Sequence, residues 1–243
     1  MNRPRGMHPM KWIPPHVKSV LDVGCNVGEL LCAICERLPG VKLAGCDVNE
    51  WAVAEARKKL PKADIRVCSA SELPFADSAF DCVTCIETLE HIPPTEWHKS
   101  LREMHRVLVP GGRLVLRTPH AGLFGWLDSN NIRFRFPQIY KRLIKRGRRD
   151  DGYPAGSDGV VWHYHFTREE LIRIAGAGWE VEATWYGGLL LFPIGDYLLW
   201  PFYRLKWKGG IIRKVIETIR IVDFEINYGQ ASYGVLLALR KIG

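Results

Sequence analysis

The 243-residue chain has no repeat period and no low-complexity block, so solenoid and fibrous architectures are excluded. Its opening, MNRPRGMHPMKWIPPHVK, lacks the apolar stretch a secretory signal needs and is instead basic and broken by proline. Cysteine is missing outside positions 25–85. The seven cysteines within that span are odd in number, which together with the missing signal leads us to expect a reducing, intracellular setting and a cytoplasmic protein. Two pairs have C-x-x-C spacing, Cys32/Cys35 and Cys82/Cys85. The second pair lies in the strand-like FDCVTCI, where positions i and i+3 point to opposite faces and cannot meet at one ion. Buried thiols acting as small hydrophobes are therefore expected, and no metal centre.

What is present is ordinary for a folded protein: 47% hydrophobic and 25% charged residues, with a net charge of +8. A chain of this length is expected to form a single α/β domain over residues 1–243. VKSVLDVG, VKLAGCDV, IRVCSA, FDCVTCI and GRLVLRTP read as strands. GELLCAICERL, EWAVAEARKKL and TEWHKSLREMHRVL read as helices, with Asn49 and Thr95 as N-caps and Pro110-Gly111-Gly112 as the stop of the third. Residues 17–118 thus alternate strand and helix, the pattern of a parallel sheet covered by helices on both faces. Farther on, TREELIRIAGAGW opens with a capping box, Thr167 and Glu170, and stops near Gly178. EVEATWYG and YGVLLALRK supply two more strands.

In such a fold, ligands bind at the carboxyl ends of the strands, where the loop DVGCNVGE falls. It fails the dinucleotide fingerprint, because Asn26 and Glu29 stand where G-x-G-x-x-G needs glycine, and a Walker A loop is absent. The pattern that remains is D-x-G-x-x-x-G. VLDVGCNVGEL resembles the first motif of class I S-adenosylmethionine-dependent methyltransferases, of the ubiquinone and menaquinone biosynthesis type. LAGCDV, CSASELPFADSAFDCVTCIETLEHI and EMHRVLVPGGRLVLRTP are similar to the motifs that follow in that family, in the same order. The family usually has glycine where this chain has Asn26, and asparagine is the next residue most tolerant of left-handed backbone.

The resemblance implies a Rossmann-like, doubly wound, mostly parallel seven-stranded sheet with the last strand antiparallel. Its core would comprise residues 17–120, 162–187 and 231–242, with cap insertions at about 121–161 and 188–230. It implies S-adenosylmethionine as cofactor. The helix N-terminus after Gly28 would meet the methionine carboxylate, and Gly24 would let the backbone approach the ligand. Cys25 and Asn26 complete the loop. Asp22 would accept from the ammonium, and Asp47, followed by Val48, would accept the ribose hydroxyls. Adenine would lie near Ser69 and Ala70, although the family often has an acid at the Ser69 position. Cys85 and Glu87 would border the methionine part and the reacting methyl. Plainer roles stand beside these: Asp22 capping a turn, Asp47 capping the next helix with Asn49, Cys85 filling the core and Glu87 solvated.

The candidate general bases are His91 in LEHIPP, His120 after the fifth strand, and His163 or His165 in WHYHF. His163 and His165 share a face if extended, but no third ligand accompanies them at motif spacing, so no metal is expected. Residues 131–149 hold eight Lys/Arg and no acid. Within them Ile139, Tyr140, Leu143 and Ile144 form one helical stripe. The run LLLFPIGDYLLWPFYRLKWKGG is interrupted by Pro193, Asp196 and Pro201, so it is not read as a transmembrane helix, while Tyr197, Trp200, Tyr203 and Trp207 suit a boundary location. IIRKVIETIRIV carries an apolar stripe of Ile211, Ile212, Val215, Ile216 and Ile219, read either as a lid or dimer face or as an element docking on anionic lipid. The expected activity is methyl transfer to a small-molecule, glycan or lipid-linked acceptor, with oxygen favoured. A non-catalytic adaptor binding membrane or a partner is the alternative. A nucleic-acid target is disfavoured because CIETLEHI stands where amino-group methylation has D/N-P-P-Y.

Overall fold

The computed structural model describes residues 5–131, 138, 163–204 and 210–242. The cationic segment 132–149, apart from Gln138, lies outside the described residues, as do its apolar stripe and Trp207. Strands β1 (Ser19–Val23), β2 (Lys42–Asp47), β3 (Asp64–Val67), β4 (Phe80–Ile86), β5 (Leu108–Pro119), β6 (Trp179–Gly187) and β7 (Gly234–Lys241) form one sheet in the order β3-β2-β1-β4-β5-β7-β6. β1 pairs in parallel with β2 and β4, and β4 in parallel with β5. β7 runs antiparallel to both β5 and β6, as the resemblance implies. The order reverses between β1 and β4, and a crevice opens there beyond the carboxyl ends of the strands.

Strand alternation sorts the core onto two faces. Leu21, Val23, Val83, Cys85, Leu114 and Leu116 pack with α3 (Trp97–Val107) and α4 (Arg168–Ala175). Val20, Cys82, Val115, Leu236 and Ala238 pack with α1 (Glu29–Arg37) and α2 (Glu50–Lys59). Cys82 and Cys85 therefore lie on opposite faces, as strand geometry requires, and all seven cysteines are free.

Asn49 caps α2 by accepting from Ala52 N–H at 3.2 Å, and the Thr167/Glu170 capping box is present. Thr95 is not the cap of α3. The residues Pro94–Glu96 form a separate 3-10 turn, so α3 starts at Trp97 with Glu96 in the N-cap position. Pro110-Gly111-Gly112 is not a turn outside the sheet but part of β5. The register between β4 and β5 shifts there, with Gly111 at φ +76°, which makes it a bulge. α4 ends at Ala175, three residues before Gly178, because Gly176 already takes positive φ.

Pro193 and Pro201 do not end α5 (Leu191–Arg204). Pro193 lies in the first turn, where a missing N–H costs little. Among the described residues no helix is long and apolar enough to cross a membrane. α6 (Gly210–Glu225) is turned inside out. Its stripe faces solvent: Ile211 is 77% exposed, Ile212 61%, Val215 50% and Ile219 48%, while Ile216 is half-buried. Its polar side faces α5. Buried Asp223 accepts from Leu189 N–H at 3.0 Å and Phe192 N–H at 2.8 Å, and Arg220 pairs with Asp196. The stripe is thus not packed as a lid on the described part of the molecule.

Candidate active site

A cleft of about 470 Å³ opens at the β1/β4 switch point, lined by Asp22, Gly24, Cys25 and Asn26 together with His8, Ile86 and Arg117. The loop after β1 turns back on itself through three left-handed residues, Gly24 (φ +78°), Asn26 (φ +45°) and Gly28 (φ +79°). Asn26 holds the conformation that glycine supplies elsewhere. Gly24 and Cys25 both donate N–H to Cys46 O, at 2.8 and 2.9 Å, which ties the loop to the end of β2. Gly28 is the left-handed cap from which α1 starts, so the free N–H groups of that helix point toward the loop. Where the sequence reading has ligand approaching Gly24, a Cβ on this residue would stand 2.1 Å from Thr88 Oγ1. The close neighbour is the chain itself.

Asp47 links the two loops. One carboxylate oxygen accepts from Asn26 N–H and the other from Asn49 N–H, both at 2.9 Å. A carboxylate has about four acceptor positions, so two remain for hydroxyls. The expected roles of capping partner and ribose acceptor are compatible. Asp22 is buried beneath the loop and accepts from Thr84 Oγ1 at 2.6 Å. Burial pushes its carboxyl up to about 7, with the Thr84 hydrogen bond working against the shift and the charge of Asp47 with it. A carboxylate this close to neutrality in a cleft is poised to gain from a cationic ligand.

The other residues expected at the site fall around this centre. Val48 is exposed at the end of β2. Cys68 N–H donates to Asp47 O, which sets Ser69 and Ala70 beside β2. The Ser69 hydroxyl is 2.9 Å from that of Ser71, so it is engaged within its own loop. Cys85 is fully enclosed in the core and offers no side-chain surface to the cleft. Glu87, at φ +49°, accepts from Arg117 Nε at 2.8 Å, and Arg117 lines the cleft.

Two wall residues are not among those expected from the sequence. Arg117 interrupts an apolar strand, a signal that could have been read. His8 belongs to the N-terminal segment, which packs through Met7 and Trp12 and is pinned by Glu225, the acceptor of Met7 and His8 N–H. Burial, then Arg117, lowers the His8 imidazole from its ordinary value.

The histidines gather beside the cleft. His91 is exposed on the 3-10 turn Leu89–His91 that follows β4, with its ring 4.8 Å from that of His163. His163 and His165 both bond Asp128 Oδ2, the latter at 2.9 Å. Asp128, in the first insertion, has no sequence signal. Asn131 clamps the His163 backbone, accepting its N–H at 2.9 Å and donating to its carbonyl at 2.8 Å. Burial alone would lower His163, but Asp128 and Glu90 outweigh it and push it up to about 10. Burial also lowers His120, whose Nδ1 lies 3.0 Å from Ser232 O.

Residues 20–112 match the family described as methyltransferase domain. A demethylmenaquinone methyltransferase of Thermus thermophilus is 36% identical over 115 residues, which cover 44% of this chain and 51% of that protein. One of Deinococcus radiodurans is 36% identical over 133 residues, covering 52% and 53%. The chain thus spans about half the length of the curated relatives it matches. Among solved structures, a SAM-dependent methyltransferase from Methanosarcina mazei aligns with a TM-score of 0.60 at 20% identity, over 98% of this chain and 99% of that one. A geranyl diphosphate C-methyltransferase from Streptomyces coelicolor aligns with a TM-score of 0.57 at 17% identity, over 93% and 73%. These likenesses establish a shared fold.

Proposed function

We propose that the chain is a class I methyltransferase and that it transfers a methyl group from S-adenosylmethionine to a small-molecule acceptor. The observation that carries the reading is the joint geometry of one loop. Three left-handed residues, a buried acid beneath them and Asp47 bonded across to Asn26 all converge at the switch point of the sheet. These residues fit the donor. Asp22 would accept from its ammonium, the start of α1 would meet its carboxylate, and Asp47 would take its ribose hydroxyls. Val48, Ser69 and Ala70 would border the adenine. S-adenosylmethionine supplies an electrophilic methyl group, so the protein's work is to align an acceptor and exclude water. Arg117, His8 and Pro9 form the wall that would do the latter.

The similarity to demethylmenaquinone methyltransferases favours a quinone-like or lipid-linked acceptor; oxygen is the atom expected from the sequence, and the position of the transferred methyl decides between it and a ring carbon. The inverted α6 supports docking on an anionic membrane surface. Its apolar stripe is exposed, and the chain's net charge of +8 complements such a surface. In this reading residues 1–243 act as one domain with caps at about 121–161 and 188–230, and the protein works in the cytoplasm at the membrane face. The test is transfer of labelled methyl from S-adenosylmethionine to demethylated quinols presented in vesicles. Label in the organic phase supports the proposal. A folded protein that binds donor but labels no such acceptor would refute the acceptor class.

A further inference from the structure

Glu90 is the most anomalous polar residue outside the cleft. It is 0% exposed, and among the described residues neither carboxylate oxygen has a hydrogen-bond partner. A buried carboxylate without a hydrogen bond is costly, and its usual compensation is a cation. One donor faces it: His163 Nε2 stands 3.6 Å from Glu90 Oε1. That is too long for a hydrogen bond but suits two ligands of one ion, since donors about 2.1 Å from a tetrahedral metal lie about 3.4 Å apart. His91 joins them from the solvent side, and the donor atoms of Glu90, His91 and His163 all lie within 4.8 Å of one another.

The surroundings of His163 match a metal ligand's needs. Asp128 engages Nδ1, which leaves Nε2 to face Glu90, and the Asn131 clamp fixes the backbone. A carboxylate on the far nitrogen is the usual orienting partner of a ligating imidazole. The alternative grouping of Asp128, His163 and His165 is less suited, because Asp128 Oδ2 already bonds both histidines and an ion there would break both contacts.

We propose that Glu90, His91 and His163 form a site for one divalent first-row transition ion, with Asp128 as the residue that positions His163. Two imidazoles and one carboxylate suit zinc, iron(II), manganese(II) or cobalt(II) and leave coordination positions open. The site adjoins the cleft, since Thr88, two residues before Glu90, covers Gly24. If the proposed methyl transfer holds, the open positions would take an oxygen of the acceptor.

The test uses the full chain, treated with chelator and then titrated with cobalt(II), followed by absorption and calorimetry. One equivalent should bind with the spectrum of nitrogen and oxygen ligation. Glu90→Gln, which preserves shape, and His91→Ala, on an exposed residue, should each weaken binding at least about tenfold. S-adenosylhomocysteine binding is measured in the same samples, so that loss of the metal site and loss of the methyltransferase reading are told apart. No cobalt binding by a wild-type protein that still takes up S-adenosylhomocysteine would overturn the site. So would binding that survives both substitutions, or a thiolate charge-transfer band assigning the ion to cysteine.

Discussion

Replacing Asp22 by Asn should make the protein more stable at alkaline pH while impairing capture of the donor. The folded carboxyl sits at about 7 against an ordinary 3.8, chiefly through burial. From about pH 4 to about pH 7 the folded chain therefore keeps a proton that the unfolded chain has lost. The protonated carboxyl's contribution is fully present below that window and is lost as pH rises through it. The whole shift corresponds to about 4 kcal/mol. Between about pH 5 and about pH 8 the change is about 2.5 kcal/mol, or about 5–10 °C in Tm for a domain of this size. Asn carries no charge and retains an oxygen for Thr84, so the variant lacks this pH dependence. Thermal unfolding of both proteins across the range reads the difference directly. Wild-type affinity for S-adenosylhomocysteine should rise as pH passes about 7, whereas the variant should bind about 10–100-fold more weakly with a flat profile. Parallel stability profiles for the two proteins would refute the assignment of Asp22 as a desolvated acid.

Asn26→Gly should retain stability and donor binding, because φ +45° suits glycine and the backbone N–H to Asp47 is kept. Asn26→Val should lose about 1–2 kcal/mol in denaturant unfolding, and equal stability of the two variants would contradict the left-handed turn. Wild-type protein should sediment with anionic vesicles at low salt and be released as salt rises. Replacing Val215 and Ile219 together by Glu should abolish sedimentation and leave S-adenosylhomocysteine binding unchanged; a double variant that still sediments would show that the exposed stripe is not the dock.

Much of the fold could be read from the chain where its signals are local. Alternating strands and helices, the Asn49 cap and the Thr167/Glu170 box each depend on neighbouring residues. Asn26 is the instructive case: it departs from the usual glycine, yet its left-handed tolerance preserves the turn. What could not be read depends on contacts between distant segments. Glu225 holds the N-terminal segment across more than two hundred residues to place His8 on the cleft wall. Asp128 meets His163 across thirty-five positions of the chain. The stripe on α6 was legible as a stripe, but periodicity carries no information about which way it faces. The cores of β4 and β5 likewise concealed which acids are solvated. Glu87 found Arg117, and Glu90 was sealed in without a hydrogen-bond partner among the described residues.

The most direct test of the central claim is calorimetric binding of S-adenosylhomocysteine to the wild-type protein and to Asp47→Ala. We predict micromolar binding by the wild type, weakened about tenfold or more in the variant by loss of a charged acceptor and of the link to Asn26. A folded wild-type protein that does not bind, or a variant that binds equally well, would contradict the account and leave a methyltransferase fold serving as a non-catalytic adaptor.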